Sequence, residues 1–232
     1  NPDVNAVLTA IGDEWYTDFA MPYTDTANVV AFETELATRF GPLQMIDGNV
    51  YIFRSDTHAN LITVGDTRNS PHVVPMGLYK SPTTPWEFSA MIAAACAYSS
   101  KQDPATPFQT TKLPGALAPA IQHRFTLDER DLLLRHGCGT FQIGADGSVA
   151  LERVITSYRK NGFNILDRSY LDLETMKTLA YIRYSQRTYI FTRFPNYKLA
   201  SDGTNFSRGQ NVVTPSVIRA ALINLYYQWE EK

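Results

Sequence analysis

Three short apolar runs, Trp15 to Pro22, Val50 to Phe53 and Val73 to Tyr79, are separated by segments that carry helix punctuation. Thr26 to Phe40 places Val30, Leu36 and Phe40 among its apolar positions and stops at Gly41. Thr57 to Arg68 reads as a shorter helix. Thr84-Pro85-Trp86-Glu87 is a capping box with proline at the first helical position, opening a helix to about Tyr98. An earlier helix is expected from Pro2 to Glu14, capped by Asn1. Strands that alternate with helices cannot be joined by tight hairpins, so they predict a parallel sheet covered on both faces.

Beyond this alternation the pattern changes. Residues 101–125 form a connector with Pro104, Pro107, Pro114 and Pro119, which Phe108, Leu113, Leu117 and Ile121 are expected to anchor. Thr126 to Glu129 is a second capping box, and its helix stops at Gly137. Thr140–Ile143 and Val149–Ile155 flank Asp146-Gly147, a strong hairpin signal. Ser169 and Asp172 open a long helix to about Phe194, a polar loop covers Ala200 to Asn211, and Thr214-Pro215 open a terminal helix. The fold class is therefore α/β: a small, mainly parallel sheet flanked by helices, with an added hairpin and two C-terminal helices. Two regions are expected, an α/β domain with its connector (1–125) and the hairpin with the C-terminal helices (126–232). Both chain ends fall in helical patterns, which suggests a piece of a longer subunit.

At 232 residues and 44% hydrophobic content the chain can bury a sizeable core. No apolar run approaches the roughly 20 residues of a membrane span. Cys96 and Cys138 have neither metal nor redox spacing and read as two reduced core residues. The net charge is only −2, yet it is polarised. Residues 1–60 hold nine acids against Arg39 and Arg54, whereas Thr178 to Ala220 hold Arg183, Arg187, Arg193, Lys198, Arg208 and Arg219 against Asp202 alone. Such polarity suits a subunit that meets other protein surfaces, including its own copies.

A search for catalytic motifs mostly fails. The chain has no G-x-x-x-x-G-K-[ST], G-x-S-x-G or H-E-x-x-H. Gly137-Cys138-Gly139 lacks the third glycine of a dinucleotide loop, with Gln142 in its place, and lies between a helix and a hairpin. One arrangement has the right topology for a site. Asp25 follows the first strand, Asp56 and His58 the second and Lys80 the third, where open parallel sheets bind ligands. Together these groups would suit a metal or a phosphate ester. The plainer reading is that Asp25-Thr26 and Asp56-Thr57 are helix caps. No cofactor or metal is therefore assigned. The aromatic, basic stretch Tyr181 to Arg193 lacks the net positive charge of a nucleic-acid binder, and its cations complement a helix C-terminus. Met176, Leu179, Ala180, Tyr184 and Phe191 are expected in the core.

Several blocks in the same order resemble one family. They are Gly12-Asp13-Glu14-Trp15-Tyr16-Thr17-Asp18, Gly65-Asp66-Thr67-Arg68-Asn69-Ser70-Pro71-His72, Thr156-Ser157-Tyr158 to Gly162 and Ser169-Tyr170-Leu171-Asp172-Leu173-Glu174-Thr175. Thr178-Leu179-Ala180-Tyr181-Ile182-Arg183, Tyr197-Lys198-Leu199-Ala200-Ser201-Asp202-Gly203-Thr204 and Val213-Thr214-Pro215-Ser216-Val217-Ile218-Arg219-Ala220 continue the series. The chain resembles contractile tail sheath subunits of Mu-like bacteriophages and prophages across nearly its whole length. The resemblance implies a structural, non-enzymatic role as stacked hexameric rings around a tail tube, contracting to drive the tube through the host envelope. It implies as partners further copies of the chain, the tube protein, and baseplate and tail terminator proteins, with no nucleic acid and no direct membrane insertion. It places the protein in the virion tail, after assembly in the host cytoplasm. In that family terminal arms exchange strands between neighbours, and such arms are expected outside this sequence. Arg183, Arg187, Arg193, Lys198, Arg208 and Arg219 are the candidate subunit or tube interface. The competing reading is a soluble α/β hydrolase acting on phosphate or sulfate esters, and a third is a generic protein-binding module.

Overall fold

A computed structural model describes residues 3–207 and 209–230. The helix start expected at Asn1 and Pro2 lies outside the described residues. The chain divides into two compact units, Asn1–Thr178 and Leu179–Lys232. The hairpin beyond the expected 125/126 division belongs to the core of the larger unit.

In the larger unit the elements run α1 (Asn5–Ile11), β1 (Asp18–Met21), α2 (Thr26–Phe40), β2 (Asn49–Ser55), α3 (His58–Asp66), β3 (Val73–Leu78), α4 (Pro85–Gln102), α5 (Leu127–Arg135), β4 (Thr140–Ile143) and β5 (Val149–Arg153). The strands β1, β2 and β3 lie side by side in that order and are all parallel, with Phe19 opposite Val50 and Val50 opposite Val73. β2 and β3 bury residues on both faces, as a helix-covered sheet requires. On one face Val29, Phe32 and Leu36 of α2 pack on Val50, Ile52 and Val73. On the other, Phe53 and Phe88 stack with ring centroids 4.1 Å apart, and Phe141 of the hairpin meets both edge-on at 5.9 and 5.4 Å. That triad joins β2, α4 and β4 in one core.

Backbone bonds close the outer edge of β3. Gly139 donates to the Pro75 carbonyl at 2.8 Å and Ser157 to that of Val73 at 2.9 Å. The antiparallel β4–β5 pair is thereby attached to the sheet. Its turn spans Gly144 to Ser148, with Gly147 at φ +80°, a conformation that glycine adopts without steric cost. Gly65 on α3 serves a different need: a Cβ there would lie 1.9 Å from the His136 carbonyl oxygen, so only glycine lets α3 and α5 approach.

The sequence anticipates most of these elements, with local departures. α1 is shorter than expected, and β1 begins at Asp18 because Glu14 and Tyr16 belong to a turn. In the connector Phe108 and Leu113 are buried, but Leu117 and Ile121 are exposed. The cap readings are correct in outline. Asp25 accepts from the Asn28 amide at 3.2 Å, and Thr126 donates its amide to Glu129 at 2.8 Å.

The smaller unit is built from most of α6 (Leu173–Arg193), the short parallel pair β6 (Lys198–Leu199) and β7 (Val212–Val213), and α7 (Pro215–Glu230). Asp202 accepts from the Ser216 amide at 3.1 Å and its hydroxyl at 2.6 Å, which satisfies donors at the start of α7. Among the described residues no helix is long and apolar enough to cross a membrane.

Candidate subunit interface

The predicted basic residues all fall in the smaller unit. Arg183 and Arg187 are one helical turn apart on α6, which puts them on one face. The Arg187 guanidinium lies over the Phe191 ring at 6.0 Å. Arg193 lies over the Tyr189 ring at 5.5 Å and donates to its hydroxyl at 3.0 Å. Lys198 stands exposed on β6 opposite Val212, and Arg219 is exposed on α7. Arg208 lies outside the described residues. Among the described residues, Arg187, Arg193, Lys198 and Arg219 have no carboxylate within 4.0 Å.

Arg219 borders an open apolar groove of about 730 Å³, lined among others by Leu199, Val213, Ile218, Leu222 and Tyr226. Leu199 is 81% exposed and Tyr226 55%. On α6, Tyr184 and Phe191 are exposed, Phe191 by 69%, which corrects the expectation that they are core. Met176 is buried as expected, whereas Leu179 and Ala180 are half-buried. Charge and apolar area thus share the surface of one small unit.

The residues of the hydrolase reading each have a local structural task. Asp25 caps α2 and also bonds the Asn28 side chain at 2.9 Å. Asp56 accepts from the Thr57 amide at 2.8 Å and the Asn60 side chain at 2.7 Å, and pairs with Arg54 at 3.1 Å. His58 Nε2 lies 3.0 Å from the Glu129 carbonyl oxygen, and Lys80 sits over the Tyr79 ring at 5.2 Å. Among the described residues no three His, Cys, Asp or Glu side chains gather as metal ligands. Cys96 and Cys138 are buried and unbridged, and burial pushes both thiols up to about 12, away from the nucleophilic thiolate.

Sequence reasoning missed a buried ion pair. Lys177 Nζ on the first turns of α6 lies 2.6 Å from Asp18 of β1, with side chains only 6% and 12% exposed. Asp18 also accepts from the Tyr51 hydroxyl at 2.6 Å, and Lys177 donates to the Thr17 carbonyl at 3.2 Å. The available signal was a lysine beside Leu173 and Met176 on the buried turn. Its partner lies 159 residues away and carries no local mark.

Residues 1–157 match the phage tail sheath protein central domain. The chain belongs to the phage tail sheath family. Over 230 residues it is 38% identical to the Mu-like prophage FluMu tail sheath protein of Haemophilus influenzae, an alignment covering 99% of the chain and 47% of that protein. The Mu-like resemblance read from the sequence is thereby borne out. Solved sheath structures share the fold. A sheath tail protein from Desulfitobacterium hafniense superposes with a TM-score of 0.66 at 15% identity, over 97% of this chain and 48% of that one. A chain in the cryo-EM structure of the anti-feeding prophage baseplate, 6-fold symmetrised, matches with a TM-score of 0.62 at 15% identity, over 99% of this chain and 59% of that one. The chain spans about half the length of the H. influenzae and D. hafniense relatives.

Proposed function

We propose that the chain is part of a structural subunit of a contractile tail sheath, polymerising as stacked hexameric rings around a tail tube. Contraction of that sheath would drive the tube through the host envelope. The observation that carries this reading is the 38% identity to a Mu-like tail sheath protein across 99% of the chain. The surface of the smaller unit supports it, because an apolar groove, with Arg187, Arg193, Lys198 and Arg219 holding no carboxylate within 4.0 Å among the described residues, suits a subunit completed by its neighbours. A contact between unlike surfaces that does not close builds a helix.

On this reading the partners are further copies, the tail tube protein, and baseplate and tail terminator proteins. The protein belongs to the virion tail and assembles in the host cytoplasm. Arg183, Arg187, Arg193, Lys198, Arg208 and Arg219 contribute to subunit or tube contacts. Nucleic acid and membrane insertion have no part in it. The role is non-catalytic, which the engagement of Asp25, Asp56 and His58 in caps and backbone contacts supports.

Electron microscopy of the whole subunit tests the proposal. Tubes or stacked rings are expected, and a strictly monodisperse monomer under all assembly conditions would refute it. A phosphatase and esterase screen with Mg²⁺, Mn²⁺ and Zn²⁺ tests the non-catalytic part. Turnover lost in Asp56→Ala and His58→Ala would restore the hydrolase reading.

A further inference from the structure

At the carboxyl end of β3, in the larger unit, lies a cavity that shares no residue with the candidate interface. Its volume is about 230 Å³, and its lining includes Gly77, Arg124, Phe125, Arg130, Leu133 and Thr140. Three observations point to a ligand. Thr140 is only 2% exposed, and its hydroxyl is buried without a hydrogen-bond partner among the described residues. Buried hydroxyls are normally satisfied, so this one calls for an occupant. Arg124 donates through Nε to the Pro119 carbonyl at 3.1 Å, and its terminal amino groups have no partner among the described residues. Arg130 donates through Nη1 to the Phe125 carbonyl at 3.1 Å and holds Glu152 2.8 Å from Nε, which leaves Nη2 without a partner among the described residues.

Local folding explains the arrangement. β4 and β5 change register between Thr140 and Phe141: Phe141 pairs with Leu151 and Thr140 with Arg153, so Glu152 is the extra residue of a bulge. Bulges re-aim side chains, and here Glu152 reaches Arg130 of α5. Thr140 and Phe141 both line the cavity, and Phe141 also belongs to the main core. Two guanidinium groups against one carboxylate leave a net positive charge beside the apolar walls of Phe125 and Leu133. Low polarity there strengthens attraction for an anion.

We propose that this cavity is an oxyanion pocket, taking one small phosphate- or carboxylate-type group between Arg124, Arg130 and the Thr140 hydroxyl. The planar Arg fork matches such groups, and the hydroxyl supplies a further donor. The volume falls below the roughly 300–1,000 Å³ of drug-sized ligand pockets, so a single group fits and a nucleotide does not. No carboxylate, imidazole or thiol lines the cavity, so its chemistry is binding rather than hydrolysis.

The test is thermal unfolding of the chain during titration with inorganic phosphate, and separately with acetate, at constant ionic strength balanced by sodium chloride. Binding to the folded state alone raises Tm along a saturating curve. Arg124→Gln should abolish the saturable rise, Arg124→Lys should restore part of it, and Thr140→Val should shift the midpoint to higher anion concentration. Broadening of the phosphorus-31 resonance of inorganic phosphate, lost in Arg124→Gln, reports binding independently of stability. Sedimentation across a protein concentration series distinguishes the source. Self-association that Arg124→Gln abolishes identifies the oxyanion as a carboxylate of a second copy. A non-saturating rise shared by wild type and Arg124→Gln, with no self-association that this variant weakens, would overturn the pocket and leave a water-filled cavity.

Discussion

The two compact units treat their charges in opposite ways. In the larger unit Arg54, Arg68, Arg130, Arg153, Arg159 and Lys177 each hold a carboxylate, and buried Arg39 binds the Gly12 and Glu14 carbonyls. In the smaller unit Arg187, Arg193, Lys198 and Arg219 hold none among the described residues, and Leu199, Phe191, Tyr226 and Tyr227 remain exposed. The cations named for the larger unit are paired within it, although it too exposes apolar side chains such as Leu43 and Phe163. In the smaller unit the proposed sheath contacts would cover such cations and apolar area. On the sheath reading, damage to the larger unit should unfold the protein, whereas damage to the smaller should disable assembly first.

Truncation gives the largest contrast. Phe53→Ala removes the ring stacked on Phe88 and should cost about 3–5 kcal/mol in urea unfolding. Tyr226→Ala should stay within about 0.5 kcal/mol in the isolated chain, because its site is exposed. Similar costs for the two would erase the comparison. Asp18→Ala should be comparably severe, at about 3–5 kcal/mol, since it strands the buried Lys177 charge and the Tyr51 hydroxyl. A double variant with Lys177→Met should recover much of that loss; no recovery would mean the pair is not the source of the cost.

A smaller effect concerns Glu174, whose pKa burial raises above its ordinary value although the Phe108 amide donates to it at 3.2 Å. A carboxyl whose folded pKa is raised penalises the fold once ionised. The penalty is absent below the unfolded value near 4.5, grows as pH rises from there to the folded value, and is complete above it. Glu174→Gln should therefore raise Tm at neutral pH and flatten the stability profile just above pH 4.5. An unchanged slope in that window would exclude Glu174 as its origin.

Much of the larger unit was legible because its signals are local. Thr26–Phe40 coincides with α2, the capping box at Thr126 forms as read, and Asp146-Gly147 makes the hairpin turn. What escaped depends on distance or on neighbours. β6 and β7 have two residues each, too few for any period to show. Tyr184 and Phe191 fit a core by residue type alone, but their surroundings leave them exposed. The cationic set of the candidate interface was visible as composition. The groove beside it was not, because it arises from the β6–β7 pairing and the face of α7. Likewise the Arg130–Glu152 contact depends on a register shift that no dipeptide announces.

The central claim is that the cations of the smaller unit serve contacts between subunits or with the tube. Rim charges of this kind contribute about 0–1 kcal/mol each and are screened by salt, so several together can set register without locking a subunit in place. The most direct measurement is negative-stain electron microscopy of the whole subunit carrying Lys198→Glu with Arg208→Glu, across a salt series, alongside urea unfolding of the same variant. The account predicts a folded subunit with near wild-type stability that fails to form tubes at moderate salt. Normal tubes at every salt concentration would contradict it and remove this segment from the interface.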